Sequence, residues 1–292
     1  MTNQMPWANK PFQLFMGKGG VGKTTVSLSV AKWLGAQGKR VYLAHILQSD
    51  DEKVDTELKE IFPGVFAQNL TAHECFEEYV GLKLKIKKLT DLFLKSKLIR
   101  YFQKAAPGVR EIVLLGKVWH ELHNYDYVLV DMPSTGYGLA MIQAPYNFKN
   151  LFPGGPIYDD AVQMYHALND KYKTAILAVT IAEEMPVQES IEMKNHISKM
   201  LPSNSVYFIF NRLLNLDPKL SNYWKDHEKD LQLEAQKNDV IKALKLSFNT
   251  VEKQKSKLKY ANNTVGKENI TSFSEVSELK KDAFSLDEAL LP

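Results

Sequence analysis

A glycine-rich segment near the start of the chain constrains the fold more than any other feature. It reads GKGGVGKTT at residues 17–25, directly after the apolar run FQLFM at 12–16. Apolar residues at helical spacing follow it as far as Gly38. A strand, a glycine-rich turn and a helix in this order, with the pattern GxxxxGK[ST], are typical of a phosphate-binding loop, or P-loop. The sequence therefore predicts a P-loop at residues 17–25.

Apolar runs of strand length recur along the chain. They lie at residues 12–16, 40–46, 126–131, 174–181, 205–210 and, more weakly, 269–273. Continuous apolar runs are typical of parallel strands that are buried on both faces, and strands that alternate with helices indicate parallel pairing. We therefore predict an α/β fold, a P-loop NTPase whose mostly parallel sheet is flanked by helices.

The segment between the second and third predicted strands is expected to be a helical insertion, at about residues 55–122. The acidic stretch SDDEKVDTELKE is interpreted as a loop that enters a helix, and residues 71–122 have apolar positions at three- and four-residue spacing. No linker composition divides the chain, so residues 1–292 are predicted to form a single domain.

The P-loop residues are expected to bind the phosphates and magnesium of ATP or ADP. Glycines let successive backbone N–H groups face one concavity, where they and the helix N-terminus bind phosphate oxygens. Lys23 places a charge at the β- and γ-phosphates, and the Thr24 hydroxyl is placed to coordinate Mg²⁺. The predicted phosphate-binding set is Gly17, Gly19, Gly20, Val21, Gly22, Lys23, Thr24 and Thr25.

Asp131 is the second predicted contact to magnesium. It ends the apolar run YVLVD and is followed by MPSTGYGLAM. An acid at the end of a buried strand beside a P-loop has the position of a Walker-B carboxylate, which holds a magnesium-bound water. Lys23 and Asp131 are therefore catalytic candidates.

Two motifs resemble those of one family of P-loop ATPases. Lys18 gives the form GKGGxGKT, which resembles the deviant loop of Min-type and Par-type ATPases, nitrogenase iron protein, the arsenite-pump ATPase and the ATPase that targets tail-anchored membrane proteins. The segment after Asp131 is similar to the DTAPTGHTLR motif of the last two, with Tyr137 in place of the histidine. Further similar stretches are PGVREIVLL, IAEEMPVQESIEM and FNRLL, so the resemblance covers most of residues 12–215.

The resemblance implies a mode of action and further roles for residues. In this family the signature lysine reaches across a dimer to the nucleotide of the partner, so the resemblance implies that Lys18 is a third catalytic candidate, which acts in trans. Asn211 is the candidate for contact with the adenine ring. A protein partner would sense the switch loops, whose order reports the γ-phosphate.

One departure from the family concerns hydrolysis. The family's switch I motif, DPAH, has an aspartate that orients the attacking water, whereas Leu47 occupies its place here. Asp50 or Asp51 lies a few residues on, and Gln48 offers a hydrogen bond to water instead. Since a positioned group of this kind contributes about 10²–10⁴-fold, we expect slow hydrolysis, or binding without turnover.

Other departures concern the cargo. About 30 residues separate the switch II motif from the next predicted strand, which is short for a groove that binds a transmembrane helix. Cys75 is the single cysteine. One thiol per chain is too few for As(III), so arsenite binding is not expected.

Composition and charge bound the remaining possibilities. A net charge of +3 does not indicate nucleic acid. The sequence has no apolar run of about 20 residues and no signal-peptide pattern, so we expect a cytoplasmic protein. Residues 83–104 resemble a basic amphipathic helix, which is either a solvated helix face or a peripheral membrane contact. The histidines, His45 among them, lack a metal-binding spacing and are interpreted as structural or surface residues.

Three functions remain open at this point. The first is a self-contained Mg-ATP switch that dimerises and hydrolyses slowly. The second is a catalytically weak subunit that pairs with an active homologue. The third is a positioning ATPase of the Min or Par type that contacts a membrane.

Overall fold

One mixed sheet carries the fold. The computed structural model describes residues 5–48, 54–84, 108–151, 154, 156–227, 230–231, 235 and 238–274. The strands in these ranges are β1 (Phe12–Met16), β2 (Val41–Ile46), β3 (Lys59–Phe62), β4 (Val65–Leu70), β5 (Tyr127–Asp131), β6 (Thr174–Ile181), β7 (Val206–Leu213) and β8 (Ile270–Ser274).

The strand order confirms a mostly parallel sheet. It runs β3-β4-β2-β5-β1-β6-β7-β8, and each adjacent pair is parallel except β3 and β4. The predicted strands fall within one or two residues of the observed ones at their starts, and β7 extends three residues further than predicted. The prediction of an α/β fold of the P-loop NTPase type is confirmed.

Helices cover both faces of the sheet. Those that lie in the described ranges are α1 (Lys23–Gly35), α2 (Ala72–Leu84), α3 (Val109–Glu121), α4 (Thr135–Leu151), α5 (Pro156–Asn169), α6 (Glu184–Met200), α7 (Pro218–Asp226) and α8 (Asp239–Val265). A short 3₁₀ turn at Lys267–Asn269 leads into β8.

The alternation of side chains along β1 divides the core into two clusters. Phe12, Leu14 and Met16 pack on one face of the sheet with residues of α2 to α6, whereas Phe15 packs on the other face with α1. Successive side chains of a strand point to opposite faces, so β1, whose five residues are all buried, requires a cover on each side. The carboxyl ends of the parallel strands therefore lie between two fixed layers.

The beginning of the predicted insertion is wrong in its secondary structure. Residues 59–70 form β3 and β4, an antiparallel hairpin that extends the sheet, rather than a loop entering a helix. Gly64 makes the turn with a φ of 76°. Polar residues such as Lys59 and Glu60 are tolerated because β3 is the edge strand. Residues 85–107, with most of the basic segment 83–104, lie outside the described residues, and the rest of the insertion stays a prediction.

Candidate nucleotide-binding site

The carboxyl ends of three neighbouring strands bring the candidate residues together. β1 leads into the P-loop, while β2 and β5 end at His45–Ile46 and at Asp131. The parallel register sets both Phe15 and His45 opposite Asp131. Ligands of open α/β sheets bind at this edge, beyond the carboxyl ends of the strands.

The conformation of the P-loop requires two of its glycines. Gly17 has a φ of 146°, and a Cβ there would lie 2.2 Å from the carbonyl oxygen of Val179. Gly22, the N-cap of α1, has a φ of 90°, and a Cβ there would lie 2.4 Å from Nδ2 of Asn211. A side chain at either position would meet both a strained backbone and a clash.

The side chain of Lys23 lies over the P-loop and contacts the backbone at the start of the loop. Its ammonium donates to the carbonyl oxygens of Gly17 at 3.1 Å and Lys18 at 3.3 Å. Burial lowers the pKa of Lys23, and the nearby charge of Asp131 opposes that shift. The ammonium is therefore held over the loop, and its contact with phosphate stays a prediction.

A carboxylate with two donors forms the centre of the site. Oδ2 of Asp131 accepts from the Thr24 hydroxyl at 2.5 Å and lies 2.7 Å from Nδ1 of His45. Asp131 is 2% exposed, and its Oδ1 is buried with no hydrogen-bond partner among the described residues. A buried acceptor that lacks a partner is costly, so Oδ1 is suited to a donor supplied by a ligand.

The oxygens at this centre suit a hard cation such as Mg²⁺. No cluster of three or more His, Cys, Asp or Glu that would hold a metal occurs in the ranges that the structure describes. Mg²⁺ keeps several of its waters and needs only one or two protein oxygens beside those of the phosphates. The Thr24 hydroxyl would supply a protein oxygen to the metal, and the unpartnered Oδ1 of Asp131 would accept from one of the retained waters.

Lys18 has a partner within its own chain. Its ammonium lies 2.6 Å from Oε1 of Glu189, which is on α6. Both side chains are partly exposed, at 43% and 35%. Lys18 therefore lies at the rim of the site, where a second protein chain has access to it.

The residues that follow β2 contact those that follow β5. Leu47 is 3% exposed and offers no polar group. Nε2 of Gln48 donates to Oγ of Ser134 at 3.1 Å, and Arg110 donates to the carbonyl oxygen of Gln48 at 3.4 Å. Asp50 and Asp51 lie outside the described residues. Of the alternatives to the missing aspartate, Gln48 is the one whose position is described.

Asn211 lies against the back of the P-loop. Its Nδ2 donates to the carbonyl oxygen of Val21 at 2.9 Å. The register of β7 against β8 is irregular between Phe210 and Leu213, and Arg212 has a φ of 56°. Such irregularities re-aim side chains at the ends of strands. Contact between Asn211 and a base stays a prediction.

The remaining loop residues differ in exposure. Val21 is 2% exposed, whereas Gly19 and Gly20 are exposed. Thr25 is also exposed, in the first turn of α1, where its carbonyl oxygen accepts from Ser29.

The sequence prediction did not include His45 in the site. The signal for it was its place at the end of β2, which becomes informative only once β2 is known to pair with β5. Histidine spacing along the chain does not show this pairing.

One family model matches part of this chain. The family model described as anion-transporting ATPase matches residues 11–153, which contain the P-loop, His45 and Asp131. This region is therefore similar to that family. The resemblance that the sequence motifs indicate is thereby confirmed.

Three similar proteins, from three organisms, have names that agree with this family match. The ATPase BagA of Mycobacterium tuberculosis is 27% identical over 229 residues, which cover 70% of this chain and 66% of that protein, slightly less than two thirds of its length. A candidate arsenical pump-driving ATPase of Aquifex aeolicus is 25% identical over 285 residues, which cover 78% of this chain and 93% of that protein. The ATPase ASNA1 homolog 1 of Paramecium tetraurelia is 26% identical over 231 residues, which cover 63% of this chain and 69% of that protein.

The helices give no sign of a membrane span. Among the helices of the described ranges, none combines the length and the apolar composition that a bilayer crossing needs.

Proposed function

We propose that this chain is an ATP-dependent switch of the anion-transporting ATPase family that binds Mg-ATP, dimerises and hydrolyses slowly. The observation that carries the proposal is the carboxylate of Asp131 beside the P-loop. Thr24 donates to one of its oxygens, and the other is buried without a partner. Bound magnesium would supply the Lewis acid that neutralises phosphate charge.

The residues around the phosphates would act mainly by position and charge. Lys23 holds a cation over the loop, and the N-terminus of α1 supplies backbone donors and a positive dipole end. Catalysis of phosphoryl transfer depends largely on such positioning and on charge stabilisation. These contacts support tight binding of a nucleotide.

The residues after β2 support slow hydrolysis. Leu47 is apolar and buried where the family has its water-orienting aspartate, and the amide of Gln48 is engaged with Ser134. A site without a positioned acid or base loses about 10²–10⁴-fold in rate. Turnover at the rate of an ordinary family member that is lost in Asp131→Asn, and so does not come from a contaminant, would contradict this part of the proposal.

The exposure of Lys18 supports dimerisation. It lies at the rim of the site, and its ammonium pairs with a partly exposed glutamate of its own chain. An exchange of Glu189 for a phosphate of the partner's nucleotide would place a second cation at the transferring group. A protein partner in the cytoplasm would then recognise the dimer through the residues that follow β2 and β5.

The test combines ATP turnover in the presence of Mg²⁺ with molecular mass by light scattering, for wild type and for Lys18→Ala. An ATP-dependent dimer and slow turnover, both lost in Lys18→Ala, are expected. Lys149→Ala is a matched control, because Lys149 contacts Tyr146 and Tyr165 and lies on α4.

A second function is favoured by the buried Leu47. A chain that has lost its water-orienting group suits the role of a regulatory subunit paired with an active homologue. Tight nucleotide binding with no turnover and no homodimer, together with association with a related ATPase, would select that function.

A further inference from the structure

The imidazole of His45 is a hydrogen-bond donor that the P-loop motif does not account for. It lies at the end of β2, opposite Asp131 in the parallel register. Its Nδ1 is 2.7 Å from Oδ2 of Asp131. An ionised carboxylate can only accept, so Nδ1 carries the proton in this contact.

The two donors to Asp131 come from different elements of the fold. Thr24 is in the first turn of α1, which follows β1, whereas His45 is in β2, which is separated from β1 in the sheet by β5. Both donate to Oδ2, at 2.5 Å and 2.7 Å. Two donors on one oxygen restrict rotation of the carboxylate, because a turn of the group would break both bonds.

This restriction leaves the second oxygen in a defined place. Oδ1 of Asp131 is buried and has no hydrogen-bond partner in the described part of the chain. The energetic cost of an unsatisfied carboxylate oxygen is offset when a donor arrives with a ligand. His45 therefore contributes to a site that is preformed for a magnesium-bound water.

We propose that His45 is a positioning residue for magnesium, which holds the Asp131 carboxylate so that Oδ1 accepts from a metal-bound water. The inference rests on the proposed function and extends it. Some residues hydrogen-bond to a metal-holding group without contacting the metal. Their replacement typically weakens metal affinity by about 10–100-fold. His45 would touch neither the nucleotide nor the metal.

Two amide substitutions separate the hydrogen bond from the bulk of the ring. In His45→Asn the amide nitrogen lies at about the position of Nδ1, so the donor to Asp131 is kept. In His45→Gln the amide nitrogen lies at about the position of Nε2, so that donor is moved away. His73→Ala is a control, because His73 is exposed on α2, away from the site.

The measurement is a Mg²⁺ titration of the binding of a fluorescent ADP analogue, with an EDTA sample as the metal-free reference and thermal unfolding as the check of folding. In His45→Gln we expect the half-saturating Mg²⁺ concentration to rise about 10–100-fold, with metal-free affinity unchanged. His45→Asn should stay within about threefold of wild type, and His73→Ala should match wild type. If His45→Gln does not fold, His45→Ala replaces it in the comparison.

Several results would overturn the inference. Equal shifts in His45→Asn and His45→Gln would show that ring packing matters rather than the donor, and unchanged titrations in both would show no role. A wild type that binds the analogue equally well with Mg²⁺ and with EDTA would overturn the role of His45 and leave nucleotide binding intact. A wild type that binds no nucleotide would instead overturn the proposed function, and the inference with it.

Discussion

The ammonium of Lys18 and the carboxylate of Glu189 form an ion pair of 2.6 Å across the mouth of the candidate site. The P-loop supplies the lysine, and the glutamate comes from α6, which follows the neighbouring strand β6. If Lys18 acts in a partner's site, this pair must break when the dimer forms. Its strength therefore opposes dimerisation.

Glu189→Gln is expected to strengthen the ATP-dependent dimer. The pair is partly exposed, so each copy contributes no more than about 1 kcal/mol, and the two copies in a dimer correspond to at most about a 30-fold change in the dissociation constant. Analytical ultracentrifugation with Mg-ATP measures this constant. The matched control is Glu184→Gln, on the same helix, whose carboxylate pairs with Lys257 instead. A weaker dimer in Glu189→Gln would show that Glu189 itself contacts the partner.

Gly22→Ala is expected to destabilise the protein and to displace the P-loop. The left-handed φ of 90° costs an L-residue about 1–2 kcal/mol, and the new Cβ would lie 2.4 Å from Nδ2 of Asn211. Urea unfolding measures the loss of stability. Gly19→Ala is the control, because a Cβ there meets no atom within 4 Å. We expect it to stay within about 0.5 kcal/mol of wild type.

The clash and the strain at residue 22 can be separated. Asn211→Ala removes the amide that the new Cβ would meet, so Gly22→Ala should cost less in that background. The difference between the two stability costs of Gly22→Ala measures the steric clash with Asn211. The cost that remains in the Asn211→Ala background measures the backbone strain at φ 90°. Equal costs in both backgrounds would show that contact with Asn211 has no influence on the loop.

The sequence predicted those parts of the fold that depend on local pattern. Continuous apolar runs gave the parallel strands, because burial on both faces strongly favours apolar residues. The hairpin of β3 and β4 was missed because β3 is an edge strand, and its charged residues Lys59 and Glu60 look like those of a loop. The P-loop residues were found because their spacing along the chain is itself the motif.

The part of the site that depends on pairing between distant segments was not predicted. His45 and Asp131 are 86 residues apart, and only the register of β2 against β5 brings them to 2.7 Å. The same holds for Gln48 and Ser134, which meet after the ends of those strands. A sequence motif records neighbours along the chain, whereas these contacts follow from the order of strands.

Glu121→Gln is expected to reduce stability at neutral pH and to change its dependence on acid. Glu121 is nearly buried on α3, and burial raises its pKa, but hydrogen bonds from Asn124 and Lys117 outweigh this and lower the pKa overall. A carboxyl with a lowered folded-state pKa stabilises the protein above its unfolded-state pKa. That contribution is lost as pH falls through the folded-state pKa.

The experiment is urea unfolding between pH 7 and pH 3. At pH 7 Glu121→Gln should cost about 1–3 kcal/mol, because Lys117 loses one of its two carboxylate partners. The difference from wild type should shrink below the ordinary glutamate pKa of 4.5. Glu77→Gln, exposed on α2, is the control and should show no such change. A difference independent of pH would contradict the assigned charge.

The hydrogen bond between Gln48 and Ser134 is expected to couple the segments that follow β2 and β5. It is a partly exposed contact of 3.1 Å between neutral groups, so its loss should cost about 1 kcal/mol or less. Gln48→Ala and Ser134→Ala should each lower ATP turnover about three- to fivefold, and the double variant should lower it no further. Single-turnover kinetics with Mg-ATP in all four proteins measures this coupling. Multiplicative losses would show that the two side chains act independently, with Gln48 then acting on water rather than on Ser134.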